Sequence, residues 1–310
     1  MKKLVACILL LCILSALAAC ASPEASAPKE TEKQTAETAA PSITPQEVYD
    51  AGKSLAALLG DHENVSVRIT SNGTLVREEY LSKSCSYSFT GTEYMDMGFD
   101  YAGFVTDRAE YVCFEGEYSF NVTLTPEGML DAKERFAAAG TVPFLSTEVL
   151  NSPYSIAEKD GFLIVTCNAD PNKVAAQRDD VVSCVETYTL DAKTREMTAI
   201  QTVYTYKDNT VDEGVITITR DTQTPESIKP FLAYEQKTED MHTVTVVSHP
   251  DTENETAETV RIPHGLRLGL SPEWSVEKTF TMYTDAACTQ AIEEGPIVNS
   301  DLSIYVKWSE

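Results

Sequence analysis

Apolar residues recur along this chain with two different periods, and the change falls near residue 60. Thr44-Pro45 pairs a capping hydroxyl with a proline at the first helical position. Val48, Leu55, Leu58 and Leu59 then lay an apolar stripe on one side, and Gly60 stops it. This predicts a helix over 45–59. From Asn64 the period drops to two: Val65, Val67 and Ile69 alternate with polar residues, and Asn72-Gly73 supplies the positive φ of a tight hairpin. Further alternating runs at 76–81, 84–94, 97–106, 109–114 and 118–124 predict a β meander. Its strands carry aromatics throughout, among them Tyr80, Tyr87, Phe89, Phe99, Tyr101, Phe104, Tyr111, Tyr118 and Phe120. Aromatics at strand spacing line one sheet face as a stiff apolar wall.

Thr125-Pro126 repeats the cap-plus-proline signal, and Met129, Leu130, Phe136 and Ala137 predict a second helix closed by Gly140. One more helical turn is expected at 146–150. Strands resume at 161–168, 181–190, 196–206 and 214–220, with the turn Asp191-Ala192-Lys193-Thr194 between two of them. The stretch Pro225–Pro230 reads as a linker, after which 243–247, 258–263, 280–289 and 300–308 form a smaller β-rich segment.

The first 44 residues have neither period. Met1-Lys2-Lys3 is basic, Leu4–Leu17 is almost wholly apolar, and Leu17-Ala18-Ala19-Cys20 follows. That apolar stretch is shorter than the roughly 20 residues a membrane span needs, which favours a signal-peptide core. The whole segment resembles a bacterial lipoprotein signal with its lipobox. The resemblance implies cleavage before Cys20 and acylation of its thiol by a diacylglyceryl group, with chains of the palmitate type. Residues 21–44, ASPEASAPKETEKQTAETAAPSIT, hold too little apolar surface to offset their ordering entropy, so a disordered tether is expected over 20–44.

Charge narrows the partners. Acids outnumber bases 48 to 24 for a net charge of −24. A nucleic-acid groove needs a basic face to displace phosphate counterions, so no nucleic-acid partner is expected. Adsorption to anionic lipid through basic residues is excluded on the same ground. Membrane attachment rests on the acyl chains of Cys20, about 0.8 kcal/mol per buried CH₂.

Beyond the signal and Cys20, five cysteines remain: Cys85, Cys113, Cys167, Cys184 and Cys288. Cys167 and Cys184 sit on consecutive predicted strands about the 169–180 loop, so they are the candidate disulfide. No C-x-x-C or H-x-x-x-H spacing occurs, and no structural metal site or cofactor is expected. Gly52-Lys53-Ser54 has Glu47 where a phosphate-binding loop needs its first glycine. The two S-x-x-K matches, at Ser26 and Ser275, lack their companion motifs. His62, His242, His249 and His264 stand near no recognisable nucleophile, and the acid pairs Asp179-Asp180 and Glu293-Glu294 fall in predicted loops. The acidic 251–258 loop lacks the spacing of a calcium loop. Binding rather than catalysis is expected.

The order helix, meander, central helices, meander over roughly 45–225 resembles the LolA/LppX-like superfamily. The late hairpin Tyr188–Met197, running into Tyr204-Thr205-Tyr206-Lys207-Asp208, adds to the likeness. It implies a curved antiparallel half-barrel sheet covered by helices, able to carry a lipid or lipoprotein ligand. Phe280–Thr289 with Ser300–Trp308 resembles the internalin B-repeat (Listeria–Bacteroides) type of surface module, a small β-grasp-like unit. Met282 stands where that family usually has tryptophan, and no double glycine follows the first strand.

The expected organisation is therefore a signal peptide over 1–19, a tether over 20–44, a half-barrel domain over 45–228 and a β module over 238–310. The fold class is mainly β (α+β). The expected location is the extracytoplasmic face of the cell membrane, lipid-anchored. Three functions stay open: binding an apolar ligand in a pocket of Tyr87, Phe89, Phe99, Tyr101, Met129, Leu130 and Phe136, adhesion to an envelope protein or surface glycan through the C-terminal module, and, least favoured, an unrecognised hydrolase on a β scaffold.

Overall fold

The computed structural model describes residues 43–309, apart from 53, 93–99, 140–147, 172–179, 238, 251 and 274–277. The chain is mainly β. Helices α1 (Pro45–Gly52) and α2 (Leu55–Leu59) precede strands β1 (Asn64–Ser71), β2 (Thr74–Ser82), β3 (Cys85–Thr90), β4 (Tyr101–Thr106), β5 (Glu110–Phe114), β6 (Glu117–Thr125) and β7 (Gly128–Met129). Next come α3 (Ala132–Ala138), α4 (Glu148–Asn151), β8 (Tyr154–Lys159), β9 (Phe162–Ala169), β10 (Val181–Asp191), β11 (Met197–Tyr206) and β12 (Val211–Arg220). A short 3₁₀ turn at Glu226–Ile228 leads into α5 (Lys229–Glu235). The chain ends with β13 (Met241–Ser248), β14 (Thr256–Pro263), β15 (Arg267–Pro272), β16 (Phe280–Tyr283), β17 (Ala291–Ile292) and β18 (Leu302–Trp308).

Two compact units share these elements. The first takes residues to 82, 90–98 and 140–222; the second takes 83–89, 99–139 and 223–310. In the first, β2, β1, β12, β11, β10, β9 and β8 follow one another as an antiparallel ladder that does not close on itself. Strand β10 shows why it forms: Cys184, Glu186, Tyr188 and Leu190 point to one covered face while their neighbours do not. Asn72 and Gly73, both at positive φ, turn β1 into β2 as the sequence predicts. The ladder depends on a distant pairing, Val65 with Arg220 through Ser71 with Gly214.

At the start of this unit, Thr44 and Glu47 cap α1 reciprocally. The Glu47 carboxylate accepts from the Thr44 N–H at 2.6 Å, and Thr44 Oγ1 accepts from the Glu47 N–H at 3.2 Å. The helix expected over 45–59 is two helices, because Ser54 adopts an extended conformation and caps α2 through the Ala57 N–H. Ile43, placed in the tether by composition, is 3% exposed and belongs to the core. The remainder of the tether and the signal lie outside the described residues.

In the second unit β15, β6, β5, β4 and β3 form one ladder, with β7 paired to β6, and this ladder does not close either. Strand β15 runs parallel to β6, Arg267 beside Ser119 through Pro272 beside Leu124. A separate five-stranded sheet has the order β14, β13, β18, β16, β17, with β13 and β18 parallel. The helix expected over 126–139 is shorter. Residues 124–129 fold back as β7, and Asp131 supplies the cap of α3 through the Lys133 N–H at 2.9 Å.

At the expected boundary, 228–238, residues 229–235 are helical. Helix α5 places Phe231, 1% exposed, among Tyr87, Phe104 and Tyr118. Within the 238–310 segment, β15 pairs with β6 and extends the β3–β6 ladder, while β13, β14 and β16–β18 form the five-stranded sheet.

Candidate functional site

In the second unit, residues of β4–β6, α3 and the turn before it, β14 and the end of β15 line a cleft in two lobes of about 270 and 550 Å³. Both lobes share Glu110, Asn121, Thr123, Leu130 and Arg135. Asp131 sets the start of α3, which places Arg135 one turn on, facing the strands. Its guanidinium donates to Thr123 Oγ1 and to both oxygens of Glu110, with Nη2 to Oε1 at 2.6 Å. Glu110 is 6% exposed, and its Oε2 also accepts from Asn121 Nδ2 at 2.8 Å. A buried carboxylate is tolerable with this many donors. Burial holds the Arg135 guanidinium below its ordinary range, while Tyr101 opposes that shift. Burial also raises the Tyr101 phenol.

The walls mix apolar and polar side chains. Tyr101, Ala138, Ala139 and Pro272 line the larger lobe, and Phe120, Val122, Met129 and Val260 the smaller. Met129 is fixed by its backbone, whose N–H donates to Glu258 Oε1 at 2.8 Å. Gly128, at φ +153°, lets that carboxylate approach where a Cβ would collide with it. Glu258, expected at the edge of an acidic loop, is thus a structural acceptor.

Of the seven residues expected to line an apolar pocket, Tyr101, Met129 and Leu130 do line this cleft. Tyr87 is core, 6.0 Å from the Phe231 ring, because α5 fills the aromatic face that the linker reading left open. Phe89 and Phe136 are half-buried and are not among the lining residues, and Phe99 lies outside the described residues. Cys20 also lies outside them. Cys167 and Cys184, the pair expected as a disulfide, lie on the adjacent strands β9 and β10. Cys167 pairs with Glu186 and Cys184 with Ala169, so the two are diagonal neighbours, about 7–8 Å apart, beyond ordinary disulfide reach. Burial, then the neighbouring Glu186, pushes the Cys167 thiol up to about 11.

Two further polar clusters escape sequence spacing. Glu235, at the end of α5, accepts from Arg108 at 2.5 Å and from the Tyr111 hydroxyl at 3.0 Å, whose ionisation is pushed up by burial and by that carboxylate. In the first unit His62 has a carboxylate on each ring nitrogen: Asp221 Oδ2 lies 2.6 Å from Nδ1 and Glu196 Oε1 lies 2.5 Å from Nε2. Hydrogen bonds to Glu196 and then Asp221 raise the His62 pKa. Burial opposes the lowering of Glu196, and His62, Thr194 and Arg220 outweigh it. These partners stand 134 and 159 residues from His62, so no local motif could announce them.

Among the described residues no helix is long and apolar enough to cross a membrane. The chain matches no known protein-family model and no curated protein.

Proposed function

We propose that this chain is a lipid-anchored protein of the extracytoplasmic membrane face that works by binding an amphiphilic ligand in the cleft of the second unit. The half-barrel comparison with the LolA/LppX-like superfamily is part of this reading, and the open ladders support it. The observation that carries it is the cleft itself, apolar at Tyr101, Met129, Leu130 and Pro272 with a hydrogen-bonding floor at Arg135, Thr123 and Asn121. A short apolar group with a polar end matches such walls and floor.

Charge refines the ligand class. Arg135 is already neutralised by Glu110, and the larger lobe adds Glu134 and Glu273. An anionic head would meet carboxylates there, so the ligand's polar end is neutral or cationic. A fluorescent monoacylglycerol titrated into the purified protein tests this. Saturable binding that Leu130→Arg abolishes, with the melting temperature retained, supports the reading. Binding unaffected by that substitution, or none at all, removes the cleft from it.

The anchor is tested separately. Cys20→Ser should leave an unprocessed precursor that takes up no labelled fatty acid, and continued acylation would refute the lipobox reading.

A further inference from the structure

The second unit carries one pair of side chains that no expectation from sequence absorbs. His242, on β13, pairs across the sheet with Ile262 of β14, and His264 follows directly beyond the end of β14. The backbone pairing continues past that strand, with the His264 N–H donating to the Asp240 carbonyl at 2.7 Å. Residues 242 and 264 are therefore diagonal neighbours on one sheet face. Their rings lie 5.2 Å apart, and His242 Nε2 faces His264 Nδ1 at 3.0 Å.

That separation suits two functions of imidazole, a hydrogen bond or two ligands of one ion. Metal–nitrogen bonds of about 2.0–2.1 Å at a tetrahedral angle place the nitrogens roughly 3.3 Å apart, so chelation needs the pair to open by about 0.3 Å and each ring to turn by roughly 35° until both lone pairs meet at the ion. The opposite edge of His242 supports the second use. Its Nδ1 faces the Asp301 carboxylate at 3.8 Å, and Asp301 is itself fixed by the Thr243 N–H at 2.8 Å. At 3.8 Å this is an ion-pair distance, and a modest approach would let the carboxylate accept from Nδ1–H and leave the Nε2 lone pair for an ion. Metal-binding histidines are commonly oriented in this way. The His242 side chain is 25% exposed and His264 is exposed, so an ion can reach the edge between them.

We propose that His242 and His264 form a two-imidazole chelate for a borderline divalent transition-metal ion such as Zn²⁺, Ni²⁺ or Cu²⁺, with Asp301 as the positioning residue behind His242. Among the described residues no group of three or more histidine, cysteine or acidic side chains is placed to hold an ion, so water completes the coordination. The site is an open surface chelate rather than a closed structural centre. Imidazole nitrogens favour these metals over Mg²⁺ and Ca²⁺, which prefer oxygen. The 22-residue separation explains why a search for H-x-x-x-H spacing passes over the pair.

The test uses the full-length chain and Ni²⁺, because free thiols compete for Zn²⁺ and Cu²⁺. Paramagnetic Ni²⁺ at substoichiometric levels should broaden the imidazole signals of His242 and His264 before those of His62 and His249. Calorimetry should give saturable binding that weakens at least tenfold in His242→Gln and in His264→Gln, and by less in Asp301→Asn. His62→Gln should bind as the wild type does, and Mg²⁺ should not compete. The exposed position of His264 keeps that variant foldable. Binding that survives both histidine substitutions overturns the proposal, as does uniform broadening of all four histidines.

Discussion

Phe231→Ala discriminates a core helix from a linker at 225–240. The ring is 1% exposed, stacked on Phe104 at 5.5 Å and met edge-on by Tyr118 at 5.2 Å and Tyr87 at 6.0 Å. Truncating such a side chain removes its transfer free energy and leaves a cavity that the three rigid rings cannot close. Phenylalanine-to-alanine changes of this kind cost about 3–5 kcal/mol. The lost ring pairs, each worth about 0.5–1.5 kcal/mol beyond area, favour the upper half of that range. In a solvated linker the same change would cost no more than about 0.5 kcal/mol. Tryptophan fluorescence during urea unfolding suits the measurement, because Trp308, on β18, belongs to the second unit. With a urea slope of about 3 kcal/mol/M, the midpoint should fall by about 1 M or more. Trypsin should also cut the variant rapidly at Lys229 and Lys237 while sparing the wild type. A midpoint shift below about 0.2 M would refute the core assignment of α5 and restore the linker.

Three other outcomes follow from the same structure. Because partners raise the folded pKa of His62, its contribution is fully present below the unfolded value near 6.5 and is lost as pH rises through the folded value. The melting-temperature gap between wild type and His62→Gln should therefore be widest near pH 5.5 and shrink through neutral pH; a gap that grows with pH contradicts the pairing of His62 with Glu196 and Asp221. Arg135→Met strands the buried Glu110 carboxylate and should cost about 2–4 kcal/mol, much of it regained when Glu110→Leu is added. A thermal double-mutant cycle with no coupling would refute the pairing. In the folded protein Cys167, buried and with its thiol pushed up to about 11, should resist iodoacetamide while half-buried Cys288 reacts; all five should label after denaturation without reductant, and protection of Cys167 and Cys184 there would restore the disulfide.

The elements were more legible than their partners. Alternation located the strands well: the reading at 181–190 corresponds to β10 at 181–191, and that at 118–124 to β6 at 117–125. It missed β8, an edge strand whose residues are mostly exposed, because a strand with no covered face has no period-two signal. It missed α5 because seven residues are too few for a helical stripe and Pro230 reads as a breaker, although it sits where a first helical turn tolerates it. The cleft was half legible. Tyr101, Met129 and Leu130 were singled out as apolar side chains near a helix, but Arg135 and Glu110 read as ordinary surface charges. Nothing local indicates that an arginine four residues past an aspartate cap will face a buried glutamate 25 positions earlier.

Distant segments in each unit are joined by hydrophobic faces and also by charged or polar groups of fixed geometry. His62 ties the turn after α2 to the ends of β11 and β12, Glu235 ties α5 to β5, and Arg135 ties α3 to β5 and β6. Apolar alternation has a weakness as a specifier, since strands of equal period pair interchangeably and a slip by two residues preserves the buried face. Directed hydrogen bonds remove that degeneracy, because a slip of two residues along β5 carries Glu110 about 7 Å from Arg135 and strands both groups. In a chain with 48 acids and 24 bases each cation is a scarce partner, so the carboxylates that secure one are well placed to fix the register. The same scarcity leaves the cleft without an unpaired cation among its lining residues, which is the physical reason its ligand's polar end should not be an anion.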